Sequence, residues 1–155
     1  MIFAIDPGNV ESAFVLMDED YLPVHFGKLP NEEVRNELFD AMCCYELVCP
    51  IEMVASYGMA VGATVFDTCF WAGRFAEMAN GKYELVYRKD VKMNLCGQTR
   101  AKDANIRQAL IDRFGVVGTK KDKGWFYGFK ADIWSAYAVG VTYLDRRNQN
   151  EIKGL

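Results

Sequence analysis

The chain has 155 residues, of which 51% are hydrophobic and 25% charged, so it can build one hydrophobic core and is neither disordered nor collagen-like. Its net charge of −3 argues, averaged over the whole chain, against a nucleic-acid partner. The charge is uneven, however, because residues 1–81 carry −10, residues 82–130 carry +7 and residues 131–155 carry no net charge. Segment 82–130 therefore predicts a basic surface on an acidic protein, although a solvated charged face explains the charge equally well.

Three strands are predicted at the N-terminus. Residues 2–5 are β-prone and end at the Asp6-Pro7-Gly8 turn signal, and segments 12–17 and 21–29 follow at hairpin spacing. A helix should begin after Pro30, with Asn31 as its N-cap. Its expected apolar face comprises Val34, Leu38, Phe39 and Met42.

Strands and helices alternate in the rest of the chain. We predict strands at 51–55 and 83–87 and helices at about 60–79, 103–114 and 132–144. The order β-β-β-α-β-α-β-α-α indicates an α/β fold with a mixed five-stranded sheet flanked by helices, an order similar to the ribonuclease H-like architecture. No internal repeat or linker divides the chain, so we expect one domain over residues 1–155.

The helix predicted at 60–79 carries large aromatic residues at helical spacing. These are Phe66, Phe70, Trp71 and Phe75. The helix with Phe66, Phe70 and Trp71 could form a dimer interface or pack in the core, and the sequence leaves both readings open.

The cysteines and the histidine exclude several kinds of site. The five cysteines are odd in number and form no CxxC pair, which argues for buried, reduced thiols rather than a disulfide framework or a zinc centre. His25 is the only histidine, so a histidine-rich metal site is excluded. No apolar run approaches the roughly 18 residues that span a membrane, and we expect a cytoplasmic protein.

Three acidic residues lie where solubility does not require them. Asp6 ends the first strand, Glu52 interrupts an apolar strand, and Asp132 precedes an apolar final helix. Taken singly, Asp6 could form an Asx-turn, Glu52 could pair with a lysine, and Asp132 could be an N-cap. Taken together, three carboxylates at one edge of a sheet favour a divalent cation, and oxygen ligands without histidine or thiol favour Mg²⁺ or Mn²⁺.

A basic, glycine-punctuated loop follows the helix predicted at 103–114. Segment 118–130 combines lysines with Trp125, Phe126, Tyr127 and Phe129. Such a loop can hold phosphates with its cations and stack on bases with its rings, or it can bury the rings and leave the lysines solvated. A carboxylate site beside this loop would suit metal-assisted cleavage of a phosphodiester.

Motifs along nearly the whole chain resemble those of the RuvC Holliday junction resolvases. The resemblance rests on Ile5-Asp6-Pro7-Gly8-Asn9, Ile51-Glu52-Met53, Asp90-Val91-Lys92, Cys96-Gly97, Ala101-Lys102-Asp103-Ala104-Asn105-Ile106, and Asp132 with Ala136, Ala138, Val139 and Thr142. In particular, the sequence looks like the short RuvC-type resolvases of bacteriophages and prophages of Gram-positive bacteria.

This resemblance implies a ribonuclease H-like nuclease domain, a homodimer and paired nicks in four-way DNA junctions that leave 5′-phosphate and 3′-hydroxyl ends. It implies that Asp6, Glu52 and Asp132 are the catalytic and metal-binding residues, holding two Mg²⁺ ions for which Mn²⁺ is a substitute, and that Lys92 contacts a phosphate. It also implies the cytoplasm of a bacterial host as the location. The expected DNA-binding residues are Lys92, Arg100, Lys102, Arg107, Lys120, Lys121 and Lys123.

The sequence departs from the family pattern in two places. The family has a second acid one turn into the last helix, where this chain has Ser135, and the other register puts Phe129 in the first place instead. A lysine expected in the basic segment falls on Asp103. Two alternatives therefore stay open: a ribonuclease H-like nuclease acting on flaps, forks or RNA–DNA hybrids, and a catalytically weak junction-binding protein.

Overall fold

The computed structural model describes residues 1–154, which form five strands and five helices. The strands are β1 (Ile2–Asp6), β2 (Glu11–Met17), β3 (Pro23–Pro30), β4 (Cys49–Met53) and β5 (Tyr83–Tyr87). The helices are α1 (Asn31–Cys44), α2 (Ala63–Met78), α3 (Arg88–Cys96), α4 (Asp103–Phe114) and α5 (Ile133–Lys153). The predicted α/β class is confirmed.

All five strands belong to one mixed sheet with the order β3-β2-β1-β4-β5. The first three strands form an antiparallel meander, whereas β4 runs parallel to β1 and β5 runs parallel to β4. The carboxyl ends of β1, β4 and β5 therefore meet at one edge of the sheet. Ile5 pairs with Ile51 in the register between β1 and β4, so the next residues, Asp6 and Glu52, lie side by side at that edge.

Helices cover both faces of the sheet and enclose two hydrophobic clusters. On one face α5 packs against β1 and β2. It approaches so closely that a Cβ at Gly140 would lie 2.6 Å from Met17 Sδ and 3.1 Å from Ala4 Cβ, so glycine is needed there. On the other face α1 and α2 contribute Leu38 and Phe75 to the second cluster. The central strands β1 and β2 are thus buried on both sides, whereas the edge strands β3 and β5 are largely exposed.

The structure corrects the prediction for the basic segment after β5. Residues 88–96 form α3, a helix absent from the predicted order, which ends at Gly97 with φ 68°. Only Val91 is buried in it, so the segment has no apolar periodicity to reveal a helix. The last helix also runs to Lys153 rather than 144, and ion pairs from Arg146 to Asp90 and from Arg147 to Glu19 bind its polar end to the body.

The start of α1 also differs from expectation. Pro30 occupies the N-cap position, and the predicted N-cap Asn31 is the first residue of the helix. The Asn31 side chain instead accepts a hydrogen bond from Ser12 Oγ at 2.5 Å and donates one to the Gly8 carbonyl at 3.0 Å. It thereby ties α1 to the turn after Asp6. Phe39 was expected on the apolar face but is exposed.

Two further expectations concern the thiols and the membrane. All five cysteines are free, as predicted, but Cys49 alone is buried, while Cys43 and Cys44 are exposed. Within residues 1–154, no helix is long and apolar enough to cross a membrane.

Candidate active site

The structure brings Asp6, Glu52 and Asp132 into one electrostatic cluster. Asp6 and Glu52 end neighbouring parallel strands, and Asp132 is the residue before α5, the helix that packs on β1. The charges of Glu52 and Asp132 both act on the Asp6 carboxyl. Three residues far apart in sequence thus converge at the carboxyl edge of the sheet.

Burial has the largest effect on the pKa values of Asp6 and Glu52, the two acids on the strands. The pKa of Asp6 is raised to about 8, first by burial and then by the negative charges of Glu52 and Asp132, while the positive charges of Arg88 and Lys28 oppose the shift. Burial also raises the pKa of Glu52, against the nearby positive charge of Arg88. Because the negative charge of Glu52 raises the pKa of Asp6, the pair favours holding a proton over carrying two charges.

Two basic side chains partly neutralise the acids. Lys28 of β3 places its Nζ 2.7 Å from Asp132 Oδ2. Arg88, the first residue of α3, has Nη1 3.7 Å from Glu52 Oε2, while its Nη2 pairs with Asp103. The Asp132 side chain makes no capping hydrogen bond to α5, so its main partner is Lys28. Glu52 is paired with an arginine rather than the lysine considered from the sequence.

The donor set of this cluster suits a hard divalent cation in part. All the ligating atoms would be carboxylate oxygens, and Glu52 Oε2 is buried without a hydrogen-bond partner within residues 1–154. In the arrangement described for residues 1–154, however, no three His, Cys, Asp or Glu side chains are disposed to hold one ion. The Asp132 carboxylate is bound to Lys28, so a metal held by all three acids would compete with this lysine.

Ser135 lies one helical turn after Asp132 and lines a cavity of about 410 Å³ between the N-terminal ends of α4 and α5. The side chains of Arg88, Asp103 and Asp132 line the same cavity. Asp103 therefore faces this cavity where the family pattern has a lysine, and its carboxylate is bound to Arg88. The cavity extends from the acidic cluster along α4.

The expected DNA-binding residues lie on α3, α4 and the segments beside α4. Lys92 is partly buried on α3. The other six are exposed: Arg100, Lys102, Arg107, Lys120, Lys121 and Lys123. Arg107 lines the cavity beside Asp132 and Ser135, which connects the basic segment directly to the acidic cluster.

The aromatic residues of segment 118–130 mostly anchor it to the core. Phe126 and Phe129 are buried, and their rings lie 4.6 Å and 5.2 Å from that of Trp134. Trp125 donates a hydrogen bond from Nε1 to the Tyr137 hydroxyl at 3.1 Å. Base stacking by Phe126 and Phe129 is therefore excluded in this arrangement. The lysines of the segment are exposed, so the structure agrees with the alternative in which the rings are buried and the lysines are solvated.

Sequence reasoning did not assign Lys28 and Arg88 to the site. Lys28 is the only lysine or arginine in residues 1–34. A single basic residue in a predicted strand, within an acidic segment, could have indicated a partner for one of the acids. Arg88 stands where β5 ends, at the edge that also carries Asp6 and Glu52. Its position was therefore deducible from the strand order.

The chain is similar in structure to RuvC of Thermus thermophilus. One solved structure of that protein superposes with a TM-score of 0.62 at 14% sequence identity, over 96% of each chain. A second, RuvC in complex with a Holliday junction substrate, superposes with a TM-score of 0.65 at 12% identity, over 96% of this chain and 95% of that one. At these identities the likeness shows the fold: this chain has the RuvC-like, ribonuclease H-like fold expected from its motifs.

No protein-family model matches the chain, and no curated protein sequence matches it. What the chain does therefore has to be argued from its site.

Proposed function

We propose that this protein is a divalent-metal-dependent DNA endonuclease that resolves four-way junctions by paired nicks. The observation that carries the proposal is the convergence of Asp6, Glu52 and Asp132 at the carboxyl edge of the sheet. The RuvC-like fold supports it, since one of the similar structures is a RuvC in complex with a Holliday junction substrate. Mg²⁺ or Mn²⁺ bound there would activate a water and stabilise the leaving 3′ oxygen, giving 5′-phosphate and 3′-hydroxyl ends.

The residues of the site would have different roles in metal and phosphate binding. Asp6 and Glu52 are held rigidly by neighbouring strands, so they provide a fixed pair of carboxylates. Asp132 is half-exposed and its partner Lys28 is also partly exposed, so we propose that Asp132 turns toward a bound cation. Arg88 lies beside Glu52 and can balance the charge of the acids or hold the scissile phosphate.

The basic segment supplies the DNA surface. Residues 82–130 carry a net charge of +7, and its lysines and arginines are mostly exposed. We propose that Lys92, Arg100, Lys102, Arg107 and the loop lysines Lys120, Lys121 and Lys123 contact phosphates of the junction arms.

A homodimer fits the exposed side of α2. Phe66 and Phe70 are 64% and 65% exposed, so packing of these two residues in the core is excluded, while Phe75 is buried. Trp71 is partly buried under the Arg74 guanidinium, which lies 4.1 Å from its ring. We propose that a second copy covers Phe66 and Phe70 about a two-fold axis, which would provide two equivalent sites for two opposed nicks.

One observation favours a second candidate, a junction-binding protein with weak catalysis. Lys28 and Arg88 already pair with Asp132 and Glu52, and Ser135 stands where another acid would strengthen metal binding. Both features lower the affinity for a divalent ion. Tight junction binding without nicking in either Mg²⁺ or Mn²⁺ would establish this candidate.

A panel of labelled substrates tests the proposal. Four-way junctions, flaps, forks, linear duplex and RNA–DNA hybrids are incubated with the protein in Mg²⁺, in Mn²⁺ and in EDTA, and the products are resolved on denaturing gels. We expect metal-dependent nicks placed symmetrically in junctions and little cleavage of linear duplex. Preferential cleavage of flaps or hybrids would contradict junction selectivity while retaining a nuclease.

A further inference from the structure

The cavity between α4 and α5 contains an aromatic wall that the acidic cluster does not use. Trp134, the second residue of α5, lines this cavity and is 7% exposed. Phe126 and Phe129 pack against its ring at 4.6 Å and 5.2 Å, so the indole cannot turn freely. Its Nε1–H is buried and has no acceptor within residues 1–154. The indole is therefore fixed in place as one wall of the cavity.

Arg107 forms a cationic layer on this wall. Its guanidinium carbon lies 4.7 Å from the centre of the Trp134 ring. No ion pair involves Arg107 among the described residues, in contrast to Arg88, which is bound to Asp103. The residue is exposed, so the outer side of the guanidinium is open to a ligand. A guanidinium held in this way is a stacking surface for a base.

The charges around the cavity disfavour a bare phosphate as its ligand. Two arginines (Arg88 and Arg107) and two acids (Asp103 and Asp132) line the cavity, so its lining carries no net formal charge. A nucleobase is neutral, carries both donors and acceptors, and has a flat face. The volume of about 410 Å³ lies within the range of small-molecule sites, about 300–1,000 Å³.

We propose that this cavity binds one unpaired nucleobase, beside the phosphate that is cleaved, stacked on the Arg107–Trp134 pair. The proposal rests on the nuclease function and adds a subsite to it. The base would stack on the outer face of the Arg107 guanidinium, whose inner face lies on the Trp134 ring. Ser135, at the junction of the cavity and the acidic cluster, would contact the sugar-phosphate that follows.

The test uses 2-aminopurine, a base whose fluorescence falls when it stacks on protein groups. Synthetic four-way junctions carry it at successive positions around the branch point, and they are bound to the full chain with Glu52→Gln so that no cleavage occurs. We expect one position at which emission changes strongly on binding. Adding Arg107→Lys, which keeps the charge but loses the planar group, should abolish most of that change and weaken binding about tenfold, the value of one stacked base.

Arg100→Lys, compared at saturating protein, is the matched control for a contact to the phosphate backbone, because Arg100 is exposed, is proposed to contact the junction backbone and does not line the cavity. It should leave the 2-aminopurine signal unchanged. Trp134→Phe keeps a ring in the packed position but reduces the aromatic surface beneath Arg107, and it should reduce the signal without unfolding the protein, as checked by thermal melting.

The failures of the two proposals are distinguishable. Metal-dependent nicking of junctions together with an unchanged 2-aminopurine signal in Arg107→Lys would overturn the subsite alone. A binding loss equal in Arg107→Lys and Arg100→Lys would overturn it as well, since Arg107 would then act only through the phosphate backbone. Absence of junction binding by the Glu52→Gln chain would overturn the junction-resolving function and the subsite that depends on it.

Discussion

Lys28 donates a hydrogen bond from Nζ to Asp132 Oδ2 at 2.7 Å, linking an edge strand to the residue before the last helix. The interaction raises the pKa of Lys28, chiefly through this hydrogen bond. Both side chains are more than a third exposed, at 35% and 49%, so the pair contributes at most about 1 kcal/mol. A bond of that strength can hold Asp132 in the free protein and still yield it to a divalent cation.

Replacing Lys28 by methionine should strengthen metal binding. Without its lysine partner, Asp132 is free to ligate, and about 1 kcal/mol corresponds to roughly fivefold in affinity. Isothermal titration with Mn²⁺ measures the change. Lys82→Met is the control, because Lys82 forms a comparable exposed pair with Glu46 away from the acids. Weaker Mn²⁺ binding by Lys28→Met would contradict competition between the lysine and the ion.

Replacing Asp6 by asparagine should stabilise the metal-free protein at neutral pH and above. The pKa of Asp6 is raised to about 8 from 3.8, so the folded state binds more protons than the unfolded state between these values, and stability falls as the pH rises through this window. Asparagine removes that charge, so its free energy of unfolding in EDTA should exceed that of the unsubstituted protein, most clearly near pH 8.

The control for this comparison is Asp67→Asn on the exposed side of α2, which should change stability little. Urea unfolding in EDTA across the pH range gives both values. An Asp6→Asn protein that is less stable at every pH would show that the carboxylate stabilises the fold instead of straining it.

Asp145 should carry much of the acid sensitivity of the fold. It accepts hydrogen bonds from Tyr21 at 2.8 Å, from Asn94 at 2.7 Å and from both Nη atoms of Arg113 at 2.8 Å and 2.9 Å. Burial opposes ionisation here, but these donors together hold the pKa of Asp145 below its usual value. The stabilisation is therefore complete above the ordinary pKa of 3.8 and is lost as the pH falls through the lower, folded value.

Asp145→Asn should cost about 2 kcal/mol in the free energy of unfolding at neutral pH, because the donors lose a charged acceptor. The difference should shrink when unfolding is measured in acid, below the folded pKa. Asp112→Asn, an exposed acid on α4, is the control and should have little effect. Equal costs at neutral and acid pH would contradict the electrostatic origin.

The lysines of segment 118–130 should act on DNA binding without affecting the fold. Lys120, Lys121 and Lys123 are exposed, while Phe126 beneath them is buried. Changing the three lysines to glutamine should weaken junction binding and reduce the slope of log affinity against log salt by up to about three. Fluorescence anisotropy over a salt series measures this, with Lys153→Gln as control.

Phe126→Ala should instead cost about 3–5 kcal/mol of stability.

The acidic cluster was predictable because it depends on strand order and strand ends. Once β1 and β4 were expected in one sheet, the positions of Asp6 and Glu52 followed from the direction of the strands. The pairing of Asp132 with Lys28 could not be predicted from the sequence, because the packing of α5 brings together two residues that are far apart in the chain. The role of Asn31 was also not predictable, because its side chain bonds to Ser12 in the tertiary structure and does not cap the helix.

The aromatic residues show where periodicity is insufficient. Phe66, Phe70 and Phe75 share a helix, yet Phe75 is buried and the other two are exposed. Spacing identifies a helix face, but only packing decides whether the sheet or a partner covers it. The helix α3 escaped prediction for the opposite reason, since only Val91 of its residues is buried.

The most direct test of the central claim is the nicking of a synthetic four-way junction by the unsubstituted protein and by Glu52→Gln. We predict paired nicks by the unsubstituted protein in Mg²⁺ or Mn²⁺, none in EDTA, and none by Glu52→Gln, which should still bind the junction. Nicking by Glu52→Gln at the unsubstituted rate, in protein purified free of other nucleases, would contradict the claim that the carboxylates at the sheet edge carry out the cleavage.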